Sequence, residues 1–246
     1  MDTTPEPSNP VEEFVRRAER LASGADERVP SWLRSGDPEN RIPVLIALLV
    51  AIGLQLAIPR SYTVVPRWPL IVLEILLVVV LVGLNPLRLS RRTRSGQWAS
   101  YLLLAAITLD NSLSALFLNI RILTGDVSNN AAVLLGSGGA IYVTTVIAFG
   151  IWYWELDRGG PFARREGRKP YPDFMFPQMT EPELAPPNWR PEFFDYLYVS
   201  ITNVVAFSPT DTMPMTRRAK MLMTGQAVIS FTTLGLVIAR AVNVLG

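Results

Sequence analysis

The stretch Pro69-Leu-Ile-Val-Leu-Glu74-Ile-Leu-Leu-Val-Val-Val80-Leu-Val-Gly-Leu84 carries one charge in an otherwise apolar run. A surface helix of a soluble protein would show a polar face at helical spacing, and none is present here. The run is close to the length of about 20 residues that a helix needs to cross hydrocarbon. Four more apolar runs of similar or greater length follow the same pattern: Ile42–Ile58, Trp98–Leu123, Ala131–Trp154 and Ala219–Leu245. A shorter one, Phe193–Phe207, lies between the last two. The expected fold is an all-α integral membrane bundle of five to six membrane helices. One of these helices is short and a candidate for re-entry.

The 246 residues are 49% hydrophobic and carry a net charge of only +2, which argues against a nucleic-acid partner. Mean hydropathy is +0.26, an average over a polar N-terminal tail and an apolar remainder. There is no cysteine and no histidine. Disulfides, thiolate nucleophiles, zinc–thiolate sites, axial haem histidine and Ser-His-Asp catalysis are thereby excluded. The expectation is a protein that is not an enzyme and needs no cofactor. Met1–Pro10 is polar and acidic and does not read as a secretory leader, so the first membrane helix is expected to direct its own insertion.

Basic residues alternate between connections. Arg16, Arg17, Arg20, Arg28, Arg34 and Arg41 lie before the first run, and Arg88, Arg91, Arg92 and Arg94 follow the second. Arg158, Arg164, Arg165, Arg168, Lys169 and Arg190 follow the fourth, whereas the other connections hold only Arg60, Arg67 and Arg121. Short basic loops stay inside, which places the N-terminus in the cytoplasm. Trp68, Trp98, Trp152, Tyr153 and Trp154 fall at run ends, as an aromatic belt would.

Four regions follow from this. Residues 1–41 form a tail: Met1–Pro10 reads as disordered, and Pro10–Ser23 reads as an amphipathic helix with Val11, Phe14, Val15, Ala18 and Leu21 on one face. Its acids come early and its arginines late, which suits the helix dipole, and it lies either on lipid or against the bundle. Residues 42–154 supply four membrane helices. Residues 155–191 hold eight prolines, which bar a long helix, and enough aromatics (Phe162, Tyr171, Phe174, Phe176, Trp189) to predict an ordered loop. Residues 192–246 supply the short helix, a polar turn and the final membrane helix.

Lipid makes a few residues conspicuous. Glu74 sits inside the second run, and a carboxylate there costs roughly 2.5–3.5 kcal/mol on insertion scales unless it is paired or protonated. Asp110, Asn111 and Ser114 sit midway through the third run, with Asp110 and Ser114 on one face. Two readings stand. These residues line an ion or proton path, or they are interhelical hydrogen-bonding groups. Arg121, Asn111 or Arg240 is the expected partner of Asp110. In the fourth run, Ala132, Gly136 and Ala140 at four-residue spacing predict a close helix contact.

The C-terminal segment Phe193-Phe-Asp-Tyr-Leu-Tyr-Val-Ser-Ile-Thr-Asn-Val-Val-Ala-Phe-Ser-Pro-Thr-Asp-Thr-Met-Pro214 breaks at Ser208-Pro209 and leads into Arg217, Arg218 and Lys220. Thr202, Asn203, Ser208, Thr210 and Asp211 are ion-contact candidates in that turn. Irregular backbone at membrane depth is tolerated only in a protein or water-lined setting. This order resembles the pore helix, filter and inner helix of tetrameric potassium channels over about the last fifty residues. Val205-Ala206-Phe207-Ser208 and Asp211 would stand where the filter stands. Ala206 and Ser208 replace the filter glycines, so the resemblance does not imply potassium selectivity.

Over most of the membrane region the chain resembles uncharacterised bacterial multi-pass membrane proteins. The phrases Trp152-Tyr-Trp-Glu-Leu-Asp-Arg-Gly-Gly-Pro161, Phe193-Phe-Asp-Tyr-Leu-Tyr198 and Phe207-Ser-Pro-Thr-Asp-Thr-Met-Pro214 carry the likeness. It implies a bacterial plasma-membrane location and no assigned activity. The function expected is an ion-conducting or ion-binding membrane protein, forming a homo-oligomer in the bilayer and handling an inorganic ion. The alternatives are a small-solute carrier and a structural or accessory subunit.

Overall fold

A computed structural model describes residues 30–63, 67–84, 94–167, 169–205 and 211–245. The described chain is mostly helical. The amphipathic helix expected at 10–23 lies outside the described residues, as do Arg88, Arg91 and Arg92 and the central part of the C-terminal turn, with Ser208 and Thr210.

Helix α1, Ile42–Ala57, begins with Pro43 in its first turn, where a missing N–H costs nothing. A 3-10 turn at Arg60–Tyr62 leads to α2, Trp68–Leu84. Two long helices follow: α3, Arg94–Thr124, and α4, Ala131–Leu156. The side chain of Asn130 caps α4 by accepting the N–H groups of Ala132 and Val133 at 2.9 and 3.3 Å. The chain then forms a folded cap comprising α5 (Pro161–Arg165), β1 (Phe174–Met175) and α6 (Pro177–Thr180). After the cap come α7 (Phe193–Val205), β2 (Met213–Pro214) and α8 (Arg217–Leu245). Three helical stretches, Ser95–Thr124, Ala131–Gly159 and Arg217–Val244, are long and apolar enough to cross a membrane; α1 and α2 are apolar and shorter.

Helix α4 is the centre of the molecule. It packs against α1, α3, α7 and α8, whereas α2 packs mainly on α3. Its burial runs around nearly the whole circumference from Ser137 to Trp154. Outside it, Leu49, Leu76, Val79, Leu102, Leu109, Leu116, Phe231 and Val242 present apolar side chains outward. A surface so rich in exposed aliphatics is compatible with lipid as its solvent.

The small-residue step works differently from the spacing argument. Gly136 has nothing within 4 Å of the place a Cβ would take. The close contact is at Gly138, where a Cβ would meet Val237 Cγ1 on α8 at 2.7 Å, and at Gly150, where it would meet Leu197 Cδ1 on α7 at 3.1 Å. Ala132 is exposed and Ala140 buried, so the four-residue series straddles the edge of the interface.

Helix α7 starts at the cap end of the bundle and runs inward along α4, where the Ser200 hydroxyl donates to the Val146 carbonyl at 2.7 Å. Phe193 stacks edge-on against Trp154 at the end of α4, and Tyr196 donates its hydroxyl hydrogen bond to Asp157 at 2.7 Å. After the turn, Phe174 pairs with Pro214 and Met175 with Met213 in an antiparallel ribbon on the same cap. The chain therefore enters and leaves this segment on one side, and α8 begins at the cap.

Candidate functional site

Two polar clusters are built into the bundle. The first lies between α1, α2 and α3, near the end opposite the cap. Asp110, 1% exposed, comes from the middle of α3. Its Oδ2 accepts from Gln55 Nε2 at 2.9 Å and from Arg67 Nη2 and Nε at 2.5 and 3.2 Å. Arg67 precedes α2 and folds its side chain inward, where Nη1 also donates to the Gln55 carbonyl. The partner of Asp110 is thus Arg67. Arg121 instead pairs with Asp126 at 2.7 Å, and Arg240 donates to Asn129 at 3.2 Å. Both stand at the far end of their helices, beyond the level of Asp110.

Glu74 sits in the same cluster. It is 1% exposed, and the charges that act on it are those of Asp110 and Arg67, with Gln55 beside it. Neither Glu74 oxygen accepts a well-formed hydrogen bond. Asp110 Oδ1 and Gln55 Oε1 are likewise buried without a donor. Four acceptor atoms without donors in one apolar region is unusual, because a buried polar atom left unmatched costs about 1–3 kcal/mol. Two carboxylates face one guanidinium, so the cluster carries an excess negative charge whenever both acids are ionised.

The polar face of α3 continues toward α4. Asn111 donates to Thr145 Oγ1 at 2.8 Å and to the Ile141 carbonyl at 3.2 Å, leaving its own Oδ1 unmatched. Ser114 is completely buried, and its hydroxyl has no partner.

The C-terminal candidates separate from these. The Thr202 hydroxyl bonds back to the carbonyls of Tyr198 and Val199 in its own helix. Asn203 donates to the Met223 carbonyl at 3.0 Å and to Gln226 Oε1 at 2.9 Å, which ties α7 to α8. Gln226 in turn donates to Ser200 Oγ at 2.6 Å, and Tyr153 donates to Gln226 Oε1. Asp211 is exposed. Thr202 thus bonds within its own helix, and Asn203 bonds from helix to helix.

The second cluster is the cap. Asp157 Oδ1 accepts the N–H groups of Asp173 and Phe174 at 2.7 and 3.2 Å. Asp173 accepts from the Arg158 N–H at 2.9 Å and from the Thr216 hydroxyl at 2.6 Å. Arg158 adopts φ +53°, a left-handed geometry, and its Nε donates to the Lys169 carbonyl at 2.8 Å. Arg164 grips Glu39 with two bonds of 3.0 Å and also donates to the carbonyls of Trp154 and Asp157 at the end of α4. Burial alone would lower the Arg164 pKa, but Glu39, Tyr196 and Asp157 outweigh it and push it up, so the guanidinium stays charged. The cap joins the two phrases Trp152–Pro161 and Phe193–Tyr198 through Asp157 and Tyr196.

The structure brings Glu74 and Asp110 together with Gln55 and Arg67, and Asn203 with Gln226; the sequence reading names Glu74, Asp110 and Asn203 as candidates and does not single out Gln55, Arg67 or Gln226. Gln55 and Gln226 are each a lone amide within an apolar run, the same signal that singles out Glu74. No protein-family model matches the chain, and no curated protein or solved structure matches it.

Proposed function

We propose that the protein is an integral membrane protein with five spans, α1 to α4 and α8, that binds a small inorganic cation at Glu74 and Asp110. The observation that carries this reading is the set of buried acceptor atoms without donors on Glu74, Asp110 and Gln55. Intramembrane ionisable groups are rare and usually sit on ion or proton routes. The site lies among three helices with apolar outer faces, which supports a bilayer setting, and the distribution of arginines supports a cytoplasmic cap.

The hydrogen bonds favour the carboxylate site over Thr202 and Asn203 as the place where a cation is held. Thr202 and Asn203 spend their hydrogen bonds on helix contacts. A second reading, a structural subunit, is favoured by the clamp in which Arg67 and Gln55 bind Asp110 across helices. Proteoliposomes loaded with a pH-sensitive and a sodium-sensitive dye separate the two. Cation movement in the wild type, reduced at least tenfold by Glu74→Gln and by Asp110→Asn, supports the first. Equal behaviour of all three proteins supports the second.

A further inference from the structure

Resting on the cation-binding reading above, we infer that the cation is a proton, that Glu74 carries it, and that it exchanges through the Arg67 end of the bundle. The buried groups facing Glu74 are Asp110 from α3, Arg67 from the connection before α2, and Gln55 from α1. Each constrains what can bind.

A metal ion needs a shell of oxygens, and hard divalent cations take about six to eight. The cluster offers four free acceptor atoms: two on Glu74, one on Asp110 and one on Gln55. No third acid joins them, since no group of three or more Asp or Glu able to hold a metal occurs among the described residues. Arg67 is also in the way. Its guanidinium lies 2.5 Å from Asp110 Oδ2, so an ion bridging the two carboxylates would sit beside a fixed positive charge in an apolar region.

A proton meets none of these objections. One proton on Glu74 reduces the cluster to one carboxylate and one guanidinium, which are already paired. The new O–H is a donor, and the free acceptors nearby are Asp110 Oδ1 and Gln55 Oε1. One bond to either of them relieves two unmatched atoms at once. When the proton leaves to water, Glu74 becomes a carboxylate and Arg67 is the cation positioned to answer it. The route out is marked by exposure. The Arg67 side chain is 10% exposed whereas that of Asp110 is 1% exposed. Gln55 stands within a turn of the end of α1, and Glu74 stands two turns into α2, so the site lies toward the end of the bundle that carries Arg67.

The test is infrared difference spectroscopy on the full chain in lipid nanodiscs, stepping pH from neutral to alkaline in sodium-free buffer. The expected result is a carboxylic-acid C=O band present at neutral pH, lost at alkaline pH, shifted by 13C-glutamate labelling, unmoved by added sodium and missing in Glu74→Gln. The isotope shift assigns the band to a glutamate in the wild type. Glu155→Gln, which removes the part-buried glutamate at the end of α4, is expected to leave the band in place; a band lost in Glu155→Gln and kept in Glu74→Gln overturns the assignment to Glu74. A band that shifts with 13C-aspartate alone overturns the assignment to Glu74. A missing band together with calorimetric sodium binding that Glu74→Gln abolishes overturns the proton and leaves the cation site standing. A missing band with no sodium or potassium binding overturns both this inference and the reading it rests on.

Discussion

Arg67 lies outside any apolar run, and it sets the electrostatics of Asp110, a fully enclosed acid in the bundle. A buried ion pair contributes little net stability compared with an apolar pair of the same shape, but breaking one by removing a single partner is costly. Arg67→Met strands Asp110 and is expected to lower stability by about 3 kcal/mol or more. Arg67→Met with Asp110→Leu recovers most of that loss. Thermal unfolding of the four proteins in one detergent checks this, and a double variant no more stable than Arg67→Met would show that the pair is not what Arg67 supports. Tyr196→Phe in the cap removes one bond to the Asp157 carboxylate and nothing else, at about 1.5–3 kcal/mol by the same measurement. At this scale the acids were legible because lipid makes a lone Glu74 or Asp110 expensive wherever it sits. Their partners were not. Arg67 is 43 positions from Asp110, and nothing local in the sequence reports which loop arginine folds inward.

Elements were read more easily than their contacts. The apolar runs correspond closely to helices because hydrophobic length is a property of the chain alone. Which face of α4 meets α8 depends on rotational phase, which depends on the partner. That is why the spacing argument favoured Gly136 while the contact belongs to Gly138. Gly138→Leu forces side-chain atoms into Val237 and is expected to cost about 1–3 kcal/mol. Gly136→Leu, with open space above it, should stay within about 0.5 kcal/mol of wild type. Urea or heat unfolding in detergent distinguishes them, and equal losses at both positions would mean that α4 and α8 are not packed at Gly138. Helix α7 teaches the same lesson. Its length left crossing and re-entry open. Its attachment to Asp157 at one end and the pairing of Met213–Pro214 after it bring both Tyr196 and Met213 to the cap through contacts distant in sequence.

For the whole molecule, geometry and charge can be combined. Residues 58–63 and 125–130 share one end of the bundle, where Ser128 N–H donates to the Tyr62 hydroxyl at 3.1 Å, and the cap with its arginines forms the other. The alternation of arginines makes a cytoplasmic cap the orientation to test. The chain has no cysteine, so single cysteines can be placed on a silent background. Asp126, at 77% side-chain exposure, marks the first end, and Leu184, at 81% exposure, marks the cap. Replacing Asp126 removes only an exposed ion pair with Arg121, worth at most about 1 kcal/mol. In intact cells a membrane-impermeant maleimide should label Asp126→Cys and leave Leu184→Cys unlabelled until the membrane is opened. The opposite pattern would invert the topology and turn the Arg67 end toward the cytoplasm, reversing the side from which Glu74 exchanges its proton. Labelling of both positions from one side would be incompatible with α3 and α4 as crossing helices, and the bilayer argument for the buried acids would fall with it.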